Sequence, residues 1–208
     1  MVPGSAPSLE FDQSELSSSG GRGVFIGCCA GGAREGATVA GVTDVASARF
    51  VWRQSEVPCE VPVAQVYGWL FDEAGRVLVQ QTDDGWNLPG GSPEPFDADP
   101  SGTARREARE ESQVRVGELV HLGYEETLRG GAICALVRMA GWIEAFEPRQ
   151  PDTDGGRLLG RWMVRLEQAC DLLGWGESGR AQAVAAGGVA RSRWGIPVDR
   201  RPVAQHVD

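Results

Sequence analysis

The sequence predicts an α/β fold, an α/β/α sandwich with a mixed β-sheet, and three observations point to it. Apolar residues alternate with small or polar ones in several short runs between residues 62 and 164. A segment near residue 105 and two stretches near the C-terminus have helical spacing instead. Clusters of Gly, Asp and Pro punctuate the runs. With 208 residues, 41% of them apolar, the chain can build one well-packed domain with trailing segments.

Residues 1–45 are rich in Gly, Ser and Ala, as in Ser17-Ser18-Ser19-Gly20-Gly21. So little apolar surface cannot offset the entropy of ordering, and a disordered extension is expected, with Val24-Phe25-Ile26 as a short sticky segment. The domain is expected over 46–176, and 177–208 as a C-terminal helix and tail that pack on it or trail from it. From Pro62 the texture changes. Val63, Val66, Trp69 and Phe71 lead into the turn Asp72-Glu73-Ala74-Gly75 and then Val77-Leu78-Val79, which reads as a β-hairpin. Leu119 to Tyr124 and Ile133 to Phe146 form a second strand group joined at Arg129-Gly130-Gly131, and Leu158 to Val164 a further strand. Leu166 to Trp175 has helical spacing, and Ala181 to Trp194 reads as a second helix weakened by Gly187-Gly188.

Composition narrows the function. The net charge is −9 and the pI about 4.8, with no basic block, which argues against a nucleic-acid polymer or an anionic membrane as partner. Every cationic side chain apart from His is Arg; the absence of Lys excludes a Schiff-base lysine and a Walker-type phosphate loop. An acidic protein that handles phosphates needs metal ions as intermediaries. The five cysteines, Cys28, Cys29, Cys59, Cys134 and Cys170, lack CxxC spacing and give neither a disulfide framework nor a zinc site. No basic region followed by an apolar core opens the chain, so a cytoplasmic location is expected.

The informative segment runs from Trp86 to Val114. Trp86-Asn87-Leu88-Pro89-Gly90-Gly91 leads into a loop holding Pro93, Pro95 and Pro100, which stop a helix before about Ser101, and Asp99 or Ser101 can cap the helix that begins there. On that helix Glu107, Glu110 and Glu111 stand at i, i+3 and i+4, so their carboxylates share a face and repel. Something cationic must compensate, and a hard divalent ion shared with substrate phosphates does so. Gly90-Gly91 lets backbone approach a ligand or the helix closely.

This segment resembles the Nudix box, Gly-x5-Glu-x7-Arg-Glu-U-x-Glu-Glu-x-Gly-U with U a bulky apolar residue. Gly91 takes the first position, Asp97 that of the first Glu, Arg106-Glu107 that of Arg-Glu, Glu110-Glu111 that of the paired Glu, and Val114 closes it. The departures are one extra residue between Asp97 and Arg106, Asp for Glu at 97, the small Ala108, and Gln113 in place of Gly. That Gly ends the helix in a left-handed conformation costing another residue about 1 kcal/mol or more, so a locally different helix end is expected.

The resemblance implies a Nudix-like α/β/α sandwich and a Mg2+-dependent hydrolase, with Mn2+ as an alternative ion. It would cleave a phosphoanhydride bond in a nucleoside diphosphate linked to another moiety, such as a nucleoside triphosphate or a nucleotide sugar. Glu110 and Glu111 would be metal ligands, Glu107 a ligand or orienting group, and Arg106 would hold the loop through Asp97. A further metal ligand is expected in Asp154, with Asp152 beside it, and Glu125-Glu126 is the competing choice. Gly90, Gly91, Tyr67 and Gln81 would contact a small nucleotide-type substrate, with Tyr67, Trp69, Gln81 or Tyr124 supplying its base pocket through stacking. His121, Trp175 and Trp194 are expected to pack, and His206 to lie in a tail. A homodimer is compatible with this reading. Asp97 and Gln113 keep open an alternative, a catalytically inactive nucleotide-binding or interaction module on the same fold. A third reading, an isoprenoid-diphosphate isomerase, has only Cys134 as a strand thiol.

Overall fold

The computed structural model describes residues 50–151, 156 and 158–208. The expected extension over 1–45, and Asp152 and Asp154, lie outside the described residues. In chain order the elements are β1 (Val51–Arg53), β2 (Val63–Phe71), β3 (Arg76–Thr82), β4 (Gly85–Asn87), β5 (Gly90–Gly91) and α1 (Pro100–Ser112). Then come β6 (Val114–Arg129), β7 (Ala132–Phe146), β8 (Gly160–Arg165), α2 (Leu166–Leu173), α3 (Gly176–Trp194) and β9 (Gln205–His206). The strands form one mixed sheet in the order β1-β6-β7-β2-β3-β8-β9, with β4 paired to β3 and β5 to β2. Among the described residues only β2 and β7 run parallel; the other pairs are antiparallel.

The β2–β3 turn closes on Asp72, whose Oδ1 accepts from the backbone N–H of Ala74 (3.0 Å) and Arg76 (2.8 Å) while Oδ2 takes the Arg76 Nε–H at 2.7 Å. Strand alternation then divides β2 between two layers. Val66 and Leu70 pack under α1, with Ala104 and Ala108 of that helix. Tyr67, Trp69 and Phe71 face the opposite layer, built from α2 and α3 residues such as Ala169, Leu173 and Ala186. Helices therefore cover both faces, as an α/β/α sandwich requires.

Three expectations are corrected. The last helix starts at Gly176 instead of Ala181 and runs unbroken through Gly187-Gly188 to Trp194. A carbon added at Gly187 would come 2.9 Å from Leu166 Cδ2, so this residue is small because α2 lies against it. Leu158 and Leu159 precede the strand, which starts at Gly160. His206 is not in a loose tail: it pairs opposite Trp162 in β9, its ring 5.0 Å from that indole. Among the described residues no helix is long and apolar enough to cross a membrane.

Candidate active site

The site is organised by α1. Asp99 caps it, its carboxylate accepting from the Gly102 N–H at 2.8 Å, and Pro100 opens the first turn, where a missing N–H costs nothing. The buried face runs through Thr103, Ala104, Glu107, Ala108 and Ser112. Glu107 is thereby turned inward, and Glu111 faces β3 and the two-glycine loop.

At the other end, Gln113 adopts the left-handed conformation itself (φ 48°, ψ 48°), so the expectation of a different helix end is corrected. Its side chain explains how a non-glycine holds there. The amide Nε2 donates to Glu110 O at 2.8 Å and Oε1 accepts from Arg149 at 3.3 Å. Net hydrogen bonds of about 1 kcal/mol are of the size of the backbone strain.

The acidic face is compensated within the protein. Arg106, with a side chain only 10% exposed, contacts Glu107 at 2.9 Å, Glu110 at 3.0 Å and Glu94 at 3.6 Å. It also forks onto Asp97 (3.0 and 3.2 Å) and donates to Ser92 O at 2.8 Å, which ties the loop to the helix despite the extra residue. Burial alone would lower the Arg106 pKa, but hydrogen bonds to Asp97 and Glu110 and the charge of Glu107 outweigh it and raise it. The same guanidinium bond holds the Asp97 carboxyl below its ordinary range.

The paired glycines serve the carboxylates. A side-chain carbon at Gly91 would overlap the Glu107 carboxylate, and one at Gly90 would overlap Val66 O of β2. The Gly90 N–H donates to Glu111 Oε2 at 2.9 Å. Close approach is therefore between loop and helix. Among the described residues no three His, Cys, Asp or Glu side chains form a ready cage for a metal ion. The donor set still suits magnesium, which favours hard oxygens and is held by one or two carboxylates together with water and substrate phosphates.

Other expected residues fall elsewhere. Tyr67 pairs opposite Gly90, but its ring is 4% exposed, with the Arg138 guanidinium 4.7 Å above it and Trp175 edge-on at 6.2 Å. Its hydroxyl donates to Gln65 at 2.8 Å. Trp69 and Tyr124 are likewise buried, at 0% and 4% exposure. Gln81 is exposed and pairs opposite Trp86; strand alternation points it away from the face that Gln80 presents to α1. Glu125, the competing choice for a further metal ligand, has partners within the protein. It is buried against Arg138 Nη2 at 2.5 Å and accepts from the Ser178 hydroxyl of α3. His121 lies 3.7 Å from Glu56. Trp175 caps the start of α3, and Trp194 donates to Glu118 at 3.1 Å.

Two residues escaped the sequence reading. Gln80 Nε2 donates to Glu111 Oε2 at 3.0 Å and to Ser112 Oγ at 2.9 Å. Arg138 joins Glu125 to Gln182 of α3, donating to it at 2.8 Å. Gln80 shares its side of β3 with Leu78, which lies under α1.

A mixed sheet between helices, with an Arg-Glu helix packed beneath a Gly-Gly loop, fits the class to which the Nudix-like segment pointed. The NUDIX domain model matches residues 61–185, more than half of the sequence, and the chain belongs to the Nudix family. Solved structures similar to it include a variant of the Bacillus subtilis pyrophosphohydrolase (23% identity, 51% of this chain, 66% of that one, TM-score 0.45). This chain thus spans just under two thirds of that relative. A Nudix hydrolase from Nitrosomonas europaea matches at 16% identity over 68% of this chain and 93% of that one, TM-score 0.47. The Nudix domain of Shewanella oneidensis NrtR, complexed with ADP ribose, matches at 18% over 59% and 89%, TM-score 0.44. No curated protein sequence matches the chain.

Proposed function

We propose that this Nudix-type hydrolase is a magnesium-dependent pyrophosphohydrolase. It cleaves a phosphoanhydride bond in a nucleoside diphosphate linked to another moiety, such as a nucleoside triphosphate or nucleotide sugar. The observation that carries the reading is the gathering of Glu107 and Glu111 against the Gly90-Gly91 loop, with Glu110 beside them on Arg106.

Glu107, Glu110 and Glu111 would hold the cation, and Asp154 is proposed as a further ligand. When bound, magnesium or manganese neutralises phosphate charge and makes water a stronger nucleophile. Arg106 keeps the loop docked on the helix through Asp97 and Ser92 O, so the carboxylates keep their spacing when substrate arrives. The Gly90 N–H restrains Glu111.

The test is a phosphate-release screen with magnesium over nucleoside triphosphates, nucleotide sugars, dinucleoside polyphosphates and ADP-ribose, on the wild type and Glu111→Gln. The variant keeps size and helix propensity but loses a charged hard ligand, so turnover should drop by orders of magnitude and magnesium affinity should fall. Equal activity of the two at every magnesium level would remove the site assignment. A wild type that binds nucleotides and hydrolyses none would instead be a binding module.

A further inference from the structure

Gln80 sits on β3 beneath the last turn of α1, 1% exposed, and pairs directly opposite Arg161 of β8. Opposite residues of an antiparallel pair present their side chains to the same face. Both serve the end of α1. Arg161 Nη1 donates to the carbonyl oxygens of Ser112 (2.8 Å) and Gln113 (3.4 Å), a favourable place for a cation at a helix C-terminus. Gln80 spends its two amide hydrogens differently, one on Ser112 Oγ and one on Glu111 Oε2. Arg161 already anchors the backbone there, so anchoring does not account for the second bond.

The bond falls on the same oxygen, Oε2, that the Gly90 N–H reaches from the loop. A Glu carboxylate otherwise rotates broadly about its last torsion. Two donors from different elements, converging on one oxygen, fix that rotation.

We propose that Gln80 is a positioning residue for the reaction, holding the Glu111 carboxylate in the orientation in which it binds the divalent cation. The proposal rests on the reading of Glu111 as a cation ligand.

Calorimetric titration of the full chain with Mn2+, without nucleotide, tests it. Gln80→Met should weaken Mn2+ binding by about 10- to 100-fold, the usual range for residues that orient a metal ligand. KM for the nucleotide at saturating metal should change little while kcat falls. Gln80→Asn keeps a buried amide but is one methylene short of Glu111, and should weaken binding in the same direction even if the Met variant folds poorly. Val79→Ala, on the opposite face of the same strand, should lower the melting temperature and leave Mn2+ affinity at the wild-type value. In a Glu111→Gln background, Gln80→Met should change affinity little, because the group it acts through is gone. Folded Gln80 variants with wild-type affinity would overturn the proposal, as would equal losses in both backgrounds or in Val79→Ala. A wild type that neither binds Mn2+ nor hydrolyses any nucleotide would overturn the reading of Glu111 itself, and this proposal with it.

Discussion

Arg106 makes the acidic face of α1 tolerable before any metal arrives. Its side chain touches four carboxylates; of these, Asp97 is more buried than Arg106 and Glu107 nearly as buried. Removing one member of such a buried set leaves charges uncompensated at a cost of about 3–5 kcal/mol. Arg106→Leu should therefore lower the melting temperature sharply in metal-free buffer, and added magnesium should recover more of that loss than it adds to the wild type. Melting curves with and without magnesium check both. Asp97 supplies a pH signature. Its folded pKa is depressed below the ordinary 3.8 by the Arg106 bond, so its contribution is present above 3.8 and lost as pH falls below that value. Asp97→Asn should flatten the fall in melting temperature on acidification below about pH 4. At Gln113, Ala would keep the left-handed strain and lose both side-chain hydrogen bonds, a cost of about 1 kcal/mol or more. Gly would lose the bonds but also the strain, and its stability should stay near the wild type. Chemical denaturation of the two variants separates these outcomes.

At the scale of elements, α3 shows how neighbouring glycines differ. Nothing lies within 4 Å of a carbon added at Gly188, whereas one at Gly187 meets Leu166. Gly188→Ala should stabilise by about 0.5–1 kcal/mol through helix propensity, and Gly187→Ala should gain little or lose stability, as thermal melts would show. The same helix is tied to the sheet by a buried polar chain running from Ser178 and Gln182 through Arg138 to Glu125. Burial lowers the Arg138 pKa, an effect that the Glu125 charge opposes. Arg138→Leu alone should cost several kcal/mol, and adding Glu125→Leu should recover much of it, a comparison that denaturant unfolding can make.

Across the whole molecule, the sequence carried the central helix and its acidic face, because Pro and Asp set the start and three carboxylates at fixed spacing set the side. The hairpin at Asp72 and the long β6–β7 pair were legible for the same reason, a turn signal between apolar runs. Shorter elements were not: Val51–Arg53, Gly90–Gly91 and Gln205–His206 are too brief for any periodicity. Glu118, Glu125 and Glu126 broke the apolar pattern of β6 and hid the extent of that strand at both ends. Gln80 was missed for a sharper reason. Val77-Leu78-Val79 is buried on both faces of the sheet, so its apolar run carries no phase, and the side on which each glutamine lies could not be read.

The parallel pairing of β2 with β7 has a consequence in time. Val66 lies opposite Val137 and Phe71 opposite Trp142, so α1 and all its carboxylates belong to the stretch of chain that must loop round before these strands can meet. Contacts so distant along the chain form slowly, since the loop must close before pairing rewards it. During synthesis at about 5–20 residues per second, the acidic helix emerges on the order of seconds ahead of the end of β7. A fragment that stops in the β6–β7 turn would contain Glu107, Glu110, Glu111, Arg106 and Gln80, yet should bind Mn2+ no better than a disordered acidic peptide. The chemistry is encoded early in the domain and becomes available only when its centre closes.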